Sequence, residues 1–153
     1  DAHIGKPDRE HPKRQILGLK CPRSEVSGRR FWGLFSDEFS SPKTFFEDHF
    51  VLNYCPLAFL ETTGRNRTPD KLPVVETKPL ETLCNRHLIK VIKILEPEWL
   101  VAVGGFAEKK AKQVLGKMSI KISRVLHPSP ASPAANRGWA DQARKQLQDQ
   151  GVW

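Results

Sequence analysis

The residues with the clearest capacity for chemistry stand in one stretch of the chain. It reads His127-Pro128-Ser129-Pro130, then five residues, then Asn136-Arg137-Gly138-Trp139. An imidazole can donate or accept a hydrogen bond near neutral pH, and the hydroxyl, carboxamide and guanidinium that follow suit an anion. Pro128, Pro130 and Pro133 fix φ, so the segment is stiff and extended. Such a string is equally what a rigid, solvated turn between a strand and a helix would look like, since short motifs match by chance.

A second candidate is Asn53, inside Phe50-Val51-Leu52-Asn53-Tyr54 and just before Cys55-Pro56. The β-branched and aromatic content reads as a buried strand. A carboxamide there costs about 1–3 kcal/mol if unpaired, so it either caps the strand end or recognises a ligand. Arg29 and Arg30, at the start of a helical pattern, can meet phosphate or simply be solvated. Gly104-Gly105, between a strand and a helix, lacks the G-x-G-x-x-G of phosphate loops and reads as a tight turn. The three cysteines, Cys21, Cys55 and Cys84, show no C-x-x-C spacing. They read as reduced, mostly buried thiols of an intracellular protein, and not as a disulfide framework or a four-cysteine metal site. No pair of carboxylates suited to sugar hydrolysis stands out, and no metal or cofactor is expected.

Several elements must position these residues. Residues 1–24 read as an irregular basic segment rich in Pro, Lys, Arg and His. Val26, Phe31, Trp32, Leu34, Phe35 and Phe39 predict an aromatic-faced helix with Ser24 as N-cap. Pro42 starts a short helix reaching Phe46. Residues 61–73 form a polar, basic loop around Gly64-Arg65-Asn66-Arg67-Thr68-Pro69. Residues 79–96 carry a helical period that makes His87 a half-buried helical residue. Trp99 to Gly104 is a strand, Ala107 to Lys117 a basic amphipathic helix, and Ile120 to Leu126 the strand that delivers His127. A short helix from Ser132 to Asn136 and a longer one from Trp139 to Gln150 complete the pattern. Three strands alternating with helices predict an α/β fold, a parallel sheet with helices on both faces.

The chain has 153 residues, enough for one domain with a real core. No run of about 18 apolar residues exists for a membrane span, and no signal-peptide pattern opens the sequence. The net charge of +8 and a pI near 9.6 suit a polyanionic partner, with binding that weakens as salt rises. Nucleic acid is the first such partner to consider, and an ordinary basic protein is the alternative. The first residue is Asp, so a fragment or processed product is expected.

The whole His127–Trp139 string closely resembles the second signature motif of the uracil-DNA glycosylase superfamily, in particular its single-strand-selective monofunctional branch. The resemblance extends upstream to Asn53-Tyr54-Cys55-Pro56-Leu57 and to the Gly64–Pro69 loop, which it implies holds the active-site rim. It implies a three-layer α/β/α sandwich with a central parallel sheet. In the family, a first motif with Asn-Pro-Gly-Pro supplies a water-positioning asparagine and an aromatic residue that stacks on the base. No Asn-Pro-Gly string occurs in this sequence. The chain is therefore expected to begin just after that motif, to lack the first central strand, and to be inactive or nearly so by itself.

The resemblance further implies removal of uracil and 5-substituted uracils from single- and double-stranded DNA by base flipping. His127 would donate to uracil O2, and Asn53 would donate to O4 and accept from N3–H. Ser129, Pro130, Ala131, Asn136 and Arg137 would contact DNA, with Ser129, Asn136 and Arg137 on phosphates. At the position of Ala131 the family generally has a long side chain that enters the duplex. The implied protein is a nuclear monomer of base-excision repair with DNA as its partner. A catalytically incomplete DNA-binding module of the same fold is the alternative, and a nucleotide-binding α/β protein unrelated to DNA is a third.

Overall fold

Strands β3 (Trp99–Val103) and β4 (Lys121–Val125) run parallel, paired from Trp99↔Lys121 to Val103↔Val125. Helix α4 (Gly105–Leu115) connects them. These features come from a computed structural model that describes residues 5–153, so residues 1–4 of the expected basic segment lie outside it. Side chains alternate across the pair as the pleat requires. Val101, Val103 and Val125 face α1 (Val26–Glu38) and α5 (Trp139–Asp149), with Leu34, Trp139, Ala143 and Leu147 in the core between. Leu100 and Ile122 face α4 and α3 (Val74–Leu95), where Leu88, Ile92 and Leu115 are buried. The fold is mixed α/β, with helices on both faces of the parallel pair.

The expected third strand is absent. Residues 50–53 carry no strand assignment, and Phe50 and Val51 are 63% and 40% exposed. A strand needs partners for its backbone groups, and among the described residues none runs beside this segment. The free edge of β4 is closed by side chains instead. Gln146 Oε1 accepts the Leu126 N–H at 2.7 Å, while Gln150 accepts the Arg124 N–H at 2.9 Å and donates to its carbonyl at 2.8 Å. These two glutamines, four residues apart on α5, stand where a neighbouring strand would be.

Elsewhere the sequence reading needs local correction. Helix α1 is flanked by Glu25, and Ser24 does not cap it. Helix α2 (Pro42–Asp48) runs past Phe46, capped by Ser41 Oγ, which accepts the Thr44 N–H at 3.1 Å. Helix α3 begins at Val74 and includes Pro79, whose missing N–H near the helix start forfeits a single intrahelical bond. His87 is exposed, not half-buried, on the solvent side of α3. The 61–73 loop contains one strand of a two-stranded antiparallel ladder, β1 (Phe59–Leu60) with β2 (Asn66–Arg67), and a 3₁₀ turn at Pro69–Lys71. Of the cysteines only Cys84 is buried; Cys55 is half-buried, and Cys21 is exposed because it lies in an irregular segment. That segment, residues 5–25, is pinned where Arg14 donates to the Gly64 carbonyl at 2.7 Å. No helix among the described residues is long and apolar enough to cross a membrane.

Candidate active site

His127 follows β4 by two residues, and its approach is fixed by both backbone groups of Leu126. The Leu126 N–H is held by Gln146, and its carbonyl accepts the Trp139 indole N–H at 2.6 Å. The imidazole then lies on Gly104. That glycine has φ +90°, and a Cβ built there would stand 2.9 Å from His127 Cβ and 3.2 Å from Cδ2. Gly104 is therefore required twice, for a backbone conformation that L-residues rarely adopt and for the room the ring occupies. The sequence identified it only as a tight turn. Beside it is a cleft of about 220 Å³ lined by Gly104, Gly105, Arg124, Leu126, His127 and Gln146 among others.

The proline-rich loop is braced from within. The Ser129 N–H donates to His127 Nδ1 at 3.1 Å, so in the neutral ring Nε2 carries the proton. Ser129 Oγ accepts the Ala131 N–H at 3.2 Å. The Asn136 carboxamide is engaged at both ends, donating to the Pro130 carbonyl at 2.9 Å and accepting from Arg30 Nη2 at 2.8 Å. Pro130, Ala131, Asn136 and Arg137 are exposed, while Ser129 is half-buried. The expected helix from Ser132 to Asn136 is only a 3₁₀ turn at Ala135–Arg137, ended by Gly138 at φ +89°. Arg30, read as one of a basic pair, is the residue that sequence reasoning missed. It is half-buried and Arg29 is exposed, a distinction that an adjacent pair of like residues cannot reveal.

Asn53 is exposed, in the unpaired segment before Tyr54. Tyr54 anchors that segment. Its hydroxyl donates to Asn85 Oδ1 at 2.6 Å, and its ring meets Phe106 edge-on at 5.8 Å. Buried Lys110 pairs with Glu81 at 2.8 Å and lies over both rings. Burial, with Cys84, Glu81 and Cys55 adding to it, pushes the Tyr54 phenol up to about 12. Burial also raises the Cys84 thiol, helped by its hydrogen bond with Cys55. Phe106 stands two residues after Gly104, so Tyr54 and His127 both reach the start of α4. His127 lies at the C-terminal end of the parallel strands, where open α/β sheets hold ligands, and Asn53 adjoins the Tyr54 that packs on Phe106 of α4.

Gly104, which caps α4, has no side chain to satisfy the first-turn N–H groups, and the helix start adds positive potential. Together with the Nε2–H of a neutral histidine, the arrangement can stabilise negative charge developing on a small planar acceptor. A second hollow of about 240 Å³ lies between Leu57–Phe59 and Asn66–Pro69, next to the Asn53 segment. No group of residues suited to hold a metal ion occurs among the described residues.

No family model matches the chain. It is 45% identical over 148 residues to the single-strand selective monofunctional uracil-DNA glycosylase of Rattus norvegicus, covering 95% of this chain and 53% of that protein. The Mus musculus counterpart is 44% identical over 148 residues. That of Bos taurus is 43% identical over 151 residues, 97% of this chain and 56% of the relative. The chain thus spans about half the length of the curated relatives it matches.

Proposed function

The chain is a homologue of the single-strand-selective monofunctional uracil-DNA glycosylases along 95% of its length, and from that premise we propose that it carries the leaving-group side of a uracil-excision site in DNA repair. On this reading, cleavage of the N-glycosidic bond of uracil or a 5-substituted uracil leaves positive charge on deoxyribose and negative charge on the base. His127 donates Nε2–H to the developing oxyanion at O2. Such a donor is worth about 10²–10³ in rate. The observation that carries the proposal is the Ser129 N–H on Nδ1, which keeps Nε2 as the donor face of a neutral ring.

The base leaves the stack to reach this end of the sheet. Asn53, exposed at the end of its segment, donates to O4 and accepts from N3–H, a pattern that cytosine does not match. Ser129 and Arg137 take flanking phosphates, Pro130 and Ala131 face the strand, and Asn136 braces the loop that presents them. The pair β3–β4 is part of a larger parallel sheet in a three-layer α/β/α domain. The protein acts on single- and double-stranded DNA as a nuclear monomer, without a cofactor.

A second reading is a catalytically incomplete DNA-binding module of the same fold, for which the net charge of +8 speaks. One experiment separates the two. Uracil release from a single-stranded oligonucleotide and DNA affinity are measured for the full-length protein and for its His127→Ala variant. A loss of about 10² or more in the single-turnover rate with affinity retained supports excision. Binding by both proteins without release by either supports the module, and equal losses of rate and affinity make His127 structural.

A further inference from the structure

We propose that Arg30 is a positioning residue that sets the tautomer of His127 through one peptide unit. The inference rests on the reading of His127 as an Nε2–H donor. Arg30 Nη1 donates to the Pro128 carbonyl at 3.1 Å and lies 3.4 Å from that of Ser129. The Pro128 carbonyl and the Ser129 N–H belong to the same trans peptide, so they point in opposite directions. The other end of that peptide is the donor to His127 Nδ1, at 3.1 Å. A guanidinium on the carbonyl does two things. It fixes the peptide plane that aims the N–H at the ring, and it polarises the amide so that the N–H is a stronger donor.

The second nitrogen makes this a clamp. Arg30 Nη2 donates to Asn136 Oδ1 at 2.8 Å, and Asn136 Nδ2 donates to the Pro130 carbonyl at 2.9 Å. One planar fork therefore joins both ends of the loop between Pro128 and Asn136. A point charge such as lysine can take the carbonyl but cannot span both acceptors. The clamp is held from behind, because α1 packs on α5 through Leu34 and through Phe31, whose ring lies 6.3 Å from that of Trp139. The same indole donates to Leu126 O, next to His127. The two arginines of the pair thus divide, Arg30 toward the loop and Arg29 toward solvent.

The test reads the imidazole nitrogens of His127 and the Ser129 amide by NMR in the full chain, with Arg30→Met and Arg30→Lys. In the unsubstituted protein the neutral ring is a single Nε2–H form and the Ser129 amide proton resonates downfield. Arg30→Met weakens the Ser129–Nδ1 bond. The ratio of the two neutral forms moves about fivefold toward Nδ1–H, and the Ser129 amide moves upfield. Arg30→Lys, which retains a donor for Pro128, restores most of the Nε2–H form. If Arg30→Met loses its fold by circular dichroism, Arg30→Gln, which removes the cation but keeps an amide, is read by the same spectra. A folded Met or Gln variant with the His127 tautomer and the Ser129 amide unmoved overturns the proposal. The readout needs no DNA. A tautomer that responds to Arg30 while the full-length protein releases no uracil would instead refute the excision reading and leave the relay standing.

Discussion

Replacing Gly104 by alanine should damage the site more than any other change of one methyl group. The new Cβ would sit 2.9 Å from His127 Cβ, about half an ångström inside ordinary van der Waals contact, and 3.2 Å from the ring carbon Cδ2. The obstruction on the far side is the first carbon of a side chain fixed to the backbone, so a rotamer change cannot relieve it. Holding a non-glycine residue at φ +90° adds about 1–3 kcal/mol of strain, and crowding adds about 1–3 kcal/mol unless His127 moves. If it moves, stability loses mainly the strain, but the Ser129 N–H no longer meets Nδ1. A misplacement of that order costs about 10² in a reaction that needs the ring. Gly105→Ala is the control, since nothing lies within 4 Å of its Cβ and alanine there should be neutral or stabilising by about 0.4–1 kcal/mol. Urea unfolding gives the stability difference and the His127 and Ser129 resonances give the displacement. If Gly104→Ala matches Gly105→Ala in both, the steric argument for this glycine is wrong.

The chain contains one tyrosine, Tyr54, so ultraviolet tyrosinate absorbance reports it alone; the phenol should titrate near 12 when folded and near its ordinary 10.0 in denaturant. Because the folded value is raised, the stability tied to the neutral phenol is complete below pH 10 and is lost as pH climbs toward about 12. A folded-state midpoint equal to the denatured one would show that Tyr54 is not held as described. Gln146→Leu should cost about 1–3 kcal/mol in urea unfolding, because the part-buried Leu126 N–H loses its acceptor; a difference within experimental error would mean that water or a shifted Gln150 replaces it. In the full-length protein, if it excises uracil as proposed, Ala131→Arg should raise release mainly on U:A duplex, where unpairing is hardest, and little on single strands or U:G. An equal gain on all three substrates, or none, would remove the wedge interpretation of this exposed position.

Sequence alone determined the elements whose formation is local. The periods of α1, α4 and α5, the strands read at Trp99 to Gly104 and Ile120 to Leu126, and the prolines after His127 all follow from side chains that share a face or a fixed φ. The elements are found there with ends shifted by one or two residues, α4 running Gly105–Leu115 where Ala107 to Lys117 was expected. The candidates His127 and Asn53 were singled out by the strings around them, and the structure sets His127 against Gly104 and leaves Asn53 exposed. Tertiary structure decided which backbone groups find partners. Phe50–Asn53 has strand-like side chains but no strand beside it, so its pattern could not specify pairing. Gln146 and Gln150 read as ordinary polar helix positions until β4 lies alongside them. Arg30 and Arg29 are identical in sequence terms, and only the packing of α1 on α5 turns one toward the Pro128 carbonyl and the other to water. Gly104 needed the imidazole above it before its missing Cβ had a meaning. Each of these depends on a contact between residues distant in the chain, 98 apart for Arg30 and Pro128, and local side-chain preference carries no information about such a contact.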